Sequence, residues 1–267
     1  MFISVALCTY NGERFIERQL NTILEQTLPV NEIVIFDDNS KDDTVKIIRE
    51  FEKKYASIIR LHVNEQSLGG KKNFERAIKF CLGDIIFLSD QDDEWEKNKV
   101  EVMSNRFEQN PNDWMIFSNA QLIDEEGNKL PETLWEKWGF TKQAQQTWKN
   151  NRLAFEELLE GRNRVTGATV AFRKELKKYI FPFNLPEYCW HDGWIAMIAA
   201  GVNKLTYLEE CLTRYRIHPD QQVGIDTTRV YKKSHILRYT AGLKIFYLFP
   251  TKTLKYFFYK TIYFFKS

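Results

Sequence analysis

Short apolar runs rich in β-branched residues punctuate the first ninety positions, at 3–7, 33–36, 58–63 and 85–88. Runs of this length and composition predict strands buried on both faces. Between them, apolar residues recur at helical spacing. Phe15, Ile16, Leu20, Ile23 and Leu24 form one stripe; Val45, Ile48 and Phe51 form a second; Phe74, Ala77, Ile78 and Cys81 form a third. Strand and helix therefore alternate four times, which predicts right-handed crossovers and an α/β fold with a mostly parallel central sheet flanked by helices. Ligands of such sheets gather at the carboxyl ends of the strands, so chemistry is expected just after each apolar run.

The rhythm is lost over residues 119–163, where Trp135, Trp138 and Trp148 stand among Lys, Glu and Gln, and this stretch reads as a polar helical insertion or cover. Strand character resumes over 165–172, a helix is expected over 193–200, and short strands over 205–208 and 212–215. Residues 1–226 form one expected catalytic domain, within the size that a single core supports. Residues 227–267 form a tail of a different kind. They hold nine Lys or Arg and no Asp or Glu, mixed with Phe and Tyr, so the first 226 residues carry 29 basic against 36 acidic side chains. A mildly acidic body with a basic aromatic tail predicts contact with an anionic surface, and basic residues interleaved with aromatic rings suit a lipid headgroup layer. The tail is expected to lie on the inner leaflet of the cell membrane; its alternative use is a helix packed on the catalytic domain or at a homodimer contact. No run reaches the length of a spanning helix, and the first residues lack the pattern of a signal peptide, so a cytoplasmic, membrane-peripheral protein is expected. Cys8, Cys81, Cys189 and Cys211 are scattered without paired spacing and read as buried hydrophobes.

Candidate chemistry sits where the sheet predicts it. The first strand runs into Cys8-Thr9-Tyr10-Asn11-Gly12-Glu13, a turn able to hold a heterocycle, with Asn11 also suited to cap the helix that follows. The second runs into Asp37-Asp38-Asn39-Ser40, whose carboxylates suit the N–H edge of a uracil or thymine. The fourth delivers Ser89-Asp90-Gln91-Asp92-Asp93, three carboxylates in one turn. Like charges this close disfavour ionisation unless a cation sits among them, and hard oxygen ligands favour Mg²⁺ or Mn²⁺. Neither G-x-x-x-x-G-K-[ST] nor G-x-G-x-x-G is present, so a divalent ion is expected to do most of any phosphate neutralisation, with Lys72 and Asn73 assisting at the start of the third helix.

The ordered segments S-V-A-L-C-T-Y-N-G-E, I-V-I-F-D-D-N-S-K-D-D-T, L-G-G-K-K-N-F-E-R-A and F-L-S-D-Q-D-D-E-W resemble family 2 glycosyltransferases. The D-Q-D-D-x-W form, with the later H-D-G-W and Y-R-I-H, is similar in particular to the rhamnosyltransferase-like branch of surface polysaccharide assembly. The resemblance runs from about residue 2 to about residue 222 and implies the GT-A fold. It also implies a metal-dependent inverting transfer of a sugar from a UDP- or dTDP-sugar donor to a hydroxyl of a glycan or lipid-linked acceptor. By the same resemblance Thr9, Tyr10, Asn11, Glu13 and Asp38 line the pyrimidine nucleoside pocket, and Asp90 and Asp92 lie at the ribose and the metal. Asp92 is then the direct metal ligand and Asp93 a second candidate. Asp192, in the pair His191-Asp192, is the catalytic base, although as a residue it suits the N-cap of the helix over 193–200. His218 corresponds to a loop residue that reaches the pyrophosphate. The competing readings are a sugar nucleotidyltransferase, which lacks its glycine-rich basic loop here, and a non-catalytic sugar or nucleic-acid binder, against which Asp92 and Asp192 both argue; nucleic acid is not an expected partner.

Overall fold

A computed structural model describes residues 1–185 and 189–221, so the basic tail lies outside the described residues. In chain order the elements are β1 (Ile3–Thr9), α1 (Ile16–Leu24), β2 (Glu32–Asp37), α2 (Thr44–Lys54), β3 (Ile59–Val63), α3 (Gly70–Phe80), β4 (Ile85–Ser89), β5 (Glu94–Trp95) and α4 (Lys99–Gln109). They continue with β6 (Met115–Ile123), β7 (Lys129–Thr133), α5 (Leu134–Lys137), α6 (Lys142–Trp148), α7 (Asn151–Leu159), β8 (Val170–Arg173), α8 (Lys177–Ile180), α9 (His191–Gly201) and β9 (Leu205–Arg216). The four apolar runs of the N-terminal half are β1 to β4, and the three stripes are α1 to α3.

The strands form a single sheet in the order β3-β2-β1-β4-β8-β6-β9-β5, with β7 paired to β6. β3, β2, β1 and β4 are parallel, so their carboxyl ends share one rim. β8 runs antiparallel to both β4 and β6, and β9 is parallel to β6. Alternation along each strand divides the core in two. Ala6, Cys8, Val34, Phe36, Ile86 and Leu88 face the side covered by α3, α7 and α9, while Val5, Leu7, Ile33, Ile35, Ile85 and Phe87 face the side covered by α1, α2 and α4. Helix α9 is buried from Gly193 to its end, as a helix that is apolar all round must be.

The sequence pattern is least faithful after residue 98. Helix α4 was not among the expected elements, although Val100, Met103 and Phe107 put an apolar stripe on the sheet. Residues 119–163 contain the end of β6 and all of β7 before the three helices α5 to α7. The polar residues that mask β6 are tied locally: the Asn119 carboxamide accepts from the backbone of Ala120 and Trp135. The two short strands expected after residue 204 are one, β9, whose register against β6 jumps from Leu208 to Cys211 opposite Ser118 and Asn119. Glu209 and Glu210, which broke the apolar pattern, are accommodated in that bulge. Among the described residues no helix is long and apolar enough to cross a membrane.

Candidate active site

The turns after β1 and β2 are stitched together by the residues expected to line a nucleoside pocket. Thr9 Oγ1 donates to Asp37 Oδ2 at 2.8 Å. Asn11 does not cap α1; it adopts the left-handed region at φ 48°, its N–H donates to Ser40 Oγ and its side-chain oxygen accepts from the Lys41 N–H. Glu13 accepts from the Asp43 N–H at 2.7 Å, while its own N–H donates to Asp42. Tyr10 stays 49% exposed, leaving its ring free at the rim. Its backbone is bracketed by the Gln91 carboxamide, which accepts from the Tyr10 N–H and donates to its carbonyl, so the first turn and the acidic turn are one unit. Gly12 is needed for space there, because a Cβ would fall 2.2 Å from Gln91 Oε1.

Asp38 is buried and accepts from Asn64 Nδ2, Ser67 Oγ and the backbone N–H groups of Leu68 and Gly69 at 2.7–2.8 Å. Burial opposes its charge, but the donors from Leu68, Ser67, Asn64 and Gly69 overcome that and hold the carboxyl below its usual range. Asn73, also buried, donates to the Phe36 carbonyl and accepts from Asn64. These two residues fix the loop between β3 and α3, whereas Lys72 is exposed on the first turn of α3.

The acidic turn after β4 is held from the far edge of the sheet. Glu94, 2% exposed, takes guanidinium hydrogen bonds from Arg18, Arg214 and Arg216. Burial works against this carboxylate, and the guanidinium groups outweigh it, so its proton affinity falls. The clamp pins β5 on β9, and Arg216 then donates its N–H to Asp93 Oδ1 at 3.0 Å and its Nε to the Asp92 carbonyl at 2.8 Å. Two residues on, His218 Nε2 lies 2.9 Å from Asp92 Oδ2. Asp93 is 1% exposed, and its Oδ2 has no hydrogen-bond partner among the described residues. Burial first, then Asp92 and Asp90, push the Asp93 carboxyl far up; burial, Asp92 and Asp192 do the same to Asp90.

Asp192 comes from the opposite side of the sheet and meets this turn at one glycine. Helix α9 starts at His191, so Asp192 lies in its first turn and is not the N-cap. Its Oδ1 accepts from the Gly193 N–H at 2.5 Å and from Asn163 Nδ2 at 3.3 Å, and its Oδ2 accepts from the Gly167 N–H at 3.1 Å. A Cβ on that same Gly167 would stand 3.8 Å from Asp90 Oδ2. Burial pushes the Asp192 carboxyl up to about 6, against the pull of these donors. Beneath the acidic turn lies a residue that the sequence pattern did not single out. Lys99 is fully buried, with Nζ donating to the Ala168 carbonyl at 2.6 Å and to Thr213 Oγ1 at 2.9 Å, 4.0 Å from the Trp95 ring centroid. Burial pulls the ammonium down to about 7 while Asp93 and Asp90 oppose it. Its trace in the sequence is a lysine opening the apolar stripe of α4 a few residues beyond the carboxylates.

The structure thus brings Asp90, Asp92, Asp93, Asp192 and His218 to one site and Thr9, Tyr10, Asn11 and Glu13 to the adjoining turn. Residues 4–176 match the family model of glycosyl transferase family 2. The chain belongs to that family. This family 2 glycosyltransferase is 32% identical over 245 residues, 87% of this chain and 79% of the relative, to a protein of Shigella flexneri named dTDP-rhamnosyl transferase RfbG. Its fold is that of S. aureus TarS 1-349 in complex with UDP-GlcNAc, at a TM-score of 0.64 and 18% identity over 92% of this chain and 67% of that one. A mannosyltransferase of Pyrobaculum calidifontis in complex with GDP-Man and Mn²⁺ is similar at a TM-score of 0.53 and 18% identity, covering 78% of this chain and 54% of that one. The chain spans 61% of TarS 1-349 in its UDP complex. The expected GT-A architecture is the one observed. Among the described residues no group of three or more His, Cys, Asp or Glu is disposed to hold a metal ion.

Proposed function

We propose that this family 2 enzyme is an inverting glycosyltransferase that moves a hexose, rhamnose foremost, from a dTDP- or UDP-sugar to a hydroxyl of a glycan or lipid-linked acceptor in cell-surface polysaccharide synthesis. The observation that carries this reading is the meeting of Asp192 and Asp90 at Gly167, which sets a carboxylate of raised proton affinity beside the acidic turn. The acceptor oxygen bonds to the anomeric carbon as the bond from that carbon to the diphosphate breaks, and the acceptor proton passes to Asp192. Tyr10, Asn11, Thr9 and Glu13 form the nucleoside side of the site. Asp38 and Asn73 act there through the loop they hold, and Lys72 meets the phosphates.

The residues fit a divalent cation shared with the substrate. Mg²⁺ and Mn²⁺ are commonly held by one or two carboxylates together with substrate phosphates, so a three-ligand protein cage is not required. Asp92, paired with His218 and partly open to solvent, is the better ligand; Asp93 has one oxygen committed to the Arg216 N–H and is buried. Held there, the cation would supply Lewis acidity toward the leaving diphosphate. The basic aromatic tail, 227–267, places the enzyme on the cytoplasmic leaflet. Thermal stabilisation and hydrolysis across a panel of UDP- and dTDP-hexoses, with and without Mn²⁺, test the reading. Cation-dependent release of nucleoside diphosphate is the expected result; release of pyrophosphate, or no response to any nucleotide sugar, would overturn it.

A further inference from the structure

His191 opens α9 beside Asp192 and has no part in the chemistry so far. The residue is 6% exposed and its ring lies flat on Phe74, with centroids 3.8 Å apart and planes 16° from parallel. Both of its ring nitrogens are buried without a hydrogen-bond partner, which is true of no other histidine among the described residues. Nearly all buried polar groups in native proteins are partnered, and an exception points to a ligand, an ion or an ordered water.

The position of the ring narrows what the partner is. A Cβ on Gly167 would fall 2.8 Å from His191 Nε2 and 3.8 Å from Asp90 Oδ2, so the imidazole packs against the bare face of this glycine with that carboxylate beside it. The backbone of Gly167 is not in the left-handed region, so glycine is required there for space rather than for conformation. Burial and the nearby Lys71 push the imidazole down to about 3, which keeps it neutral. A neutral imidazole offers one donor and one acceptor, the complement of a hydroxyl, and carries no charge with which to bind a diphosphate.

We propose that His191 Nε2, together with Asp90, hydrogen-bonds a hydroxyl of the transferred sugar beside Gly167, making His191 and Gly167 specificity-determining residues for the donor sugar. The proposal rests on the transferase reading above and adds the side chain that reads the sugar. A site built to pair with a hydroxyl rejects ligands that lack it, because its own polar groups are then stranded.

The test compares wild type and His191→Phe, which keeps the ring stack but has no nitrogens, in titrations with UDP, dTDP and a panel of UDP- and dTDP-hexoses in the presence of Mn²⁺. The variant is expected to bind the bare nucleotides as wild type does. For the hexose that wild type prefers, it should lose about 10- to 100-fold in affinity and in kcat/KM, and its preference among sugars should collapse. In a second measurement, on ¹⁵N-histidine-labelled wild type, the His191 imidazole signals should move on adding the preferred nucleotide sugar and stay in place with the nucleotide alone; this readout decides the matter if the variant does not fold. Unchanged sugar preference in a folded His191→Phe, or imidazole signals indifferent to the sugar, would reduce His191 to packing and overturn the proposal alone. A wild-type protein that binds no nucleotide sugar would overturn the transferase reading itself.

Discussion

Burial and hydrogen bonding pull in opposite directions at Asp192, and burial prevails, leaving the carboxyl at about 6. A base must be ionised, so kcat/KM is expected to rise with pH through this region and level off above it. Asp192→Asn should cut transfer by about 10²- to 10⁴-fold, while nucleotide affinity, read by calorimetry, stays near the wild-type value; equal loss of both would make Asp192 structural. Stability is linked to the same proton. The folded value lies above the usual 3.8, so the folded state holds this proton more tightly than the unfolded chain does. The associated stability is complete below pH 3.8 and lost as pH rises through about 6, amounting to at most about 3 kcal/mol at about 1.4 kcal/mol per unit. Denaturant melts without metal or nucleotide should therefore show a smaller fall in stability from pH 4 to 7.5 for Asp192→Asn than for wild type. The acidic turn was legible because its carboxylates directly follow an apolar strand, whereas Asp192 lies in the first turn of a helix and was singled out only by the family resemblance. Gly167 and His191 were not legible, because their meaning comes from atoms more than twenty residues away, and Lys99 left only a trace because the Ala168 carbonyl and Thr213 hydroxyl that hold it are distant in the chain.

Among the elements, β5 is only two residues long, yet it positions the acidic turn. Glu94 accounts for this, since it anchors β5 to β9 through Arg214 and Arg216 and to α1 through Arg18. Removing its charge leaves cationic groups without their partner in a buried setting, which typically costs about 3–5 kcal/mol. Glu94→Gln is expected to lower stability by roughly that amount in urea melts. It should also weaken Mn²⁺-dependent nucleotide binding, because Arg216 no longer delivers His218 to Asp92. Strong nucleotide binding that keeps its metal dependence in a folded Glu94→Gln would show that β9 is positioned by other contacts. The parallel strands β1 to β4 were readable from their apolar runs, and so were the three helices between them. Strand β6 was not, because polar Ser118, Asn119 and Gln121 interrupt its pattern. Gln121 gains its partner only when β6 and β7 are folded together, its Nε2 donating to the Leu130 carbonyl at 2.7 Å.

For the whole molecule, charge is divided between an acidic body and a basic tail, and the division yields a prediction of its own. Each cation near an anionic leaflet contributes about 1 kcal/mol, so nine of them suffice for firm but salt-sensitive attachment. The 267-residue chain is expected to float with anionic vesicles at low salt and detach at high salt, and a chain ending at residue 226 is expected to stay in solution. Flotation of the shortened chain would assign the membrane contact to the catalytic domain instead.

By itself the sequence determined the alternation of strands and helices in the first half, the rim on which chemistry collects, and the acidic and aromatic residues placed there, because these follow from local period and from what each strand end carries. Only the tertiary structure decided that Asp192, a hundred residues from Asp90, meets it across Gly167, that Arg216 brings His218 to Asp92, and that both His191 nitrogens go unpaired among the described residues. Each depends on crossings between strands distant in the chain, and no local pattern encodes which distant backbone an atom will reach.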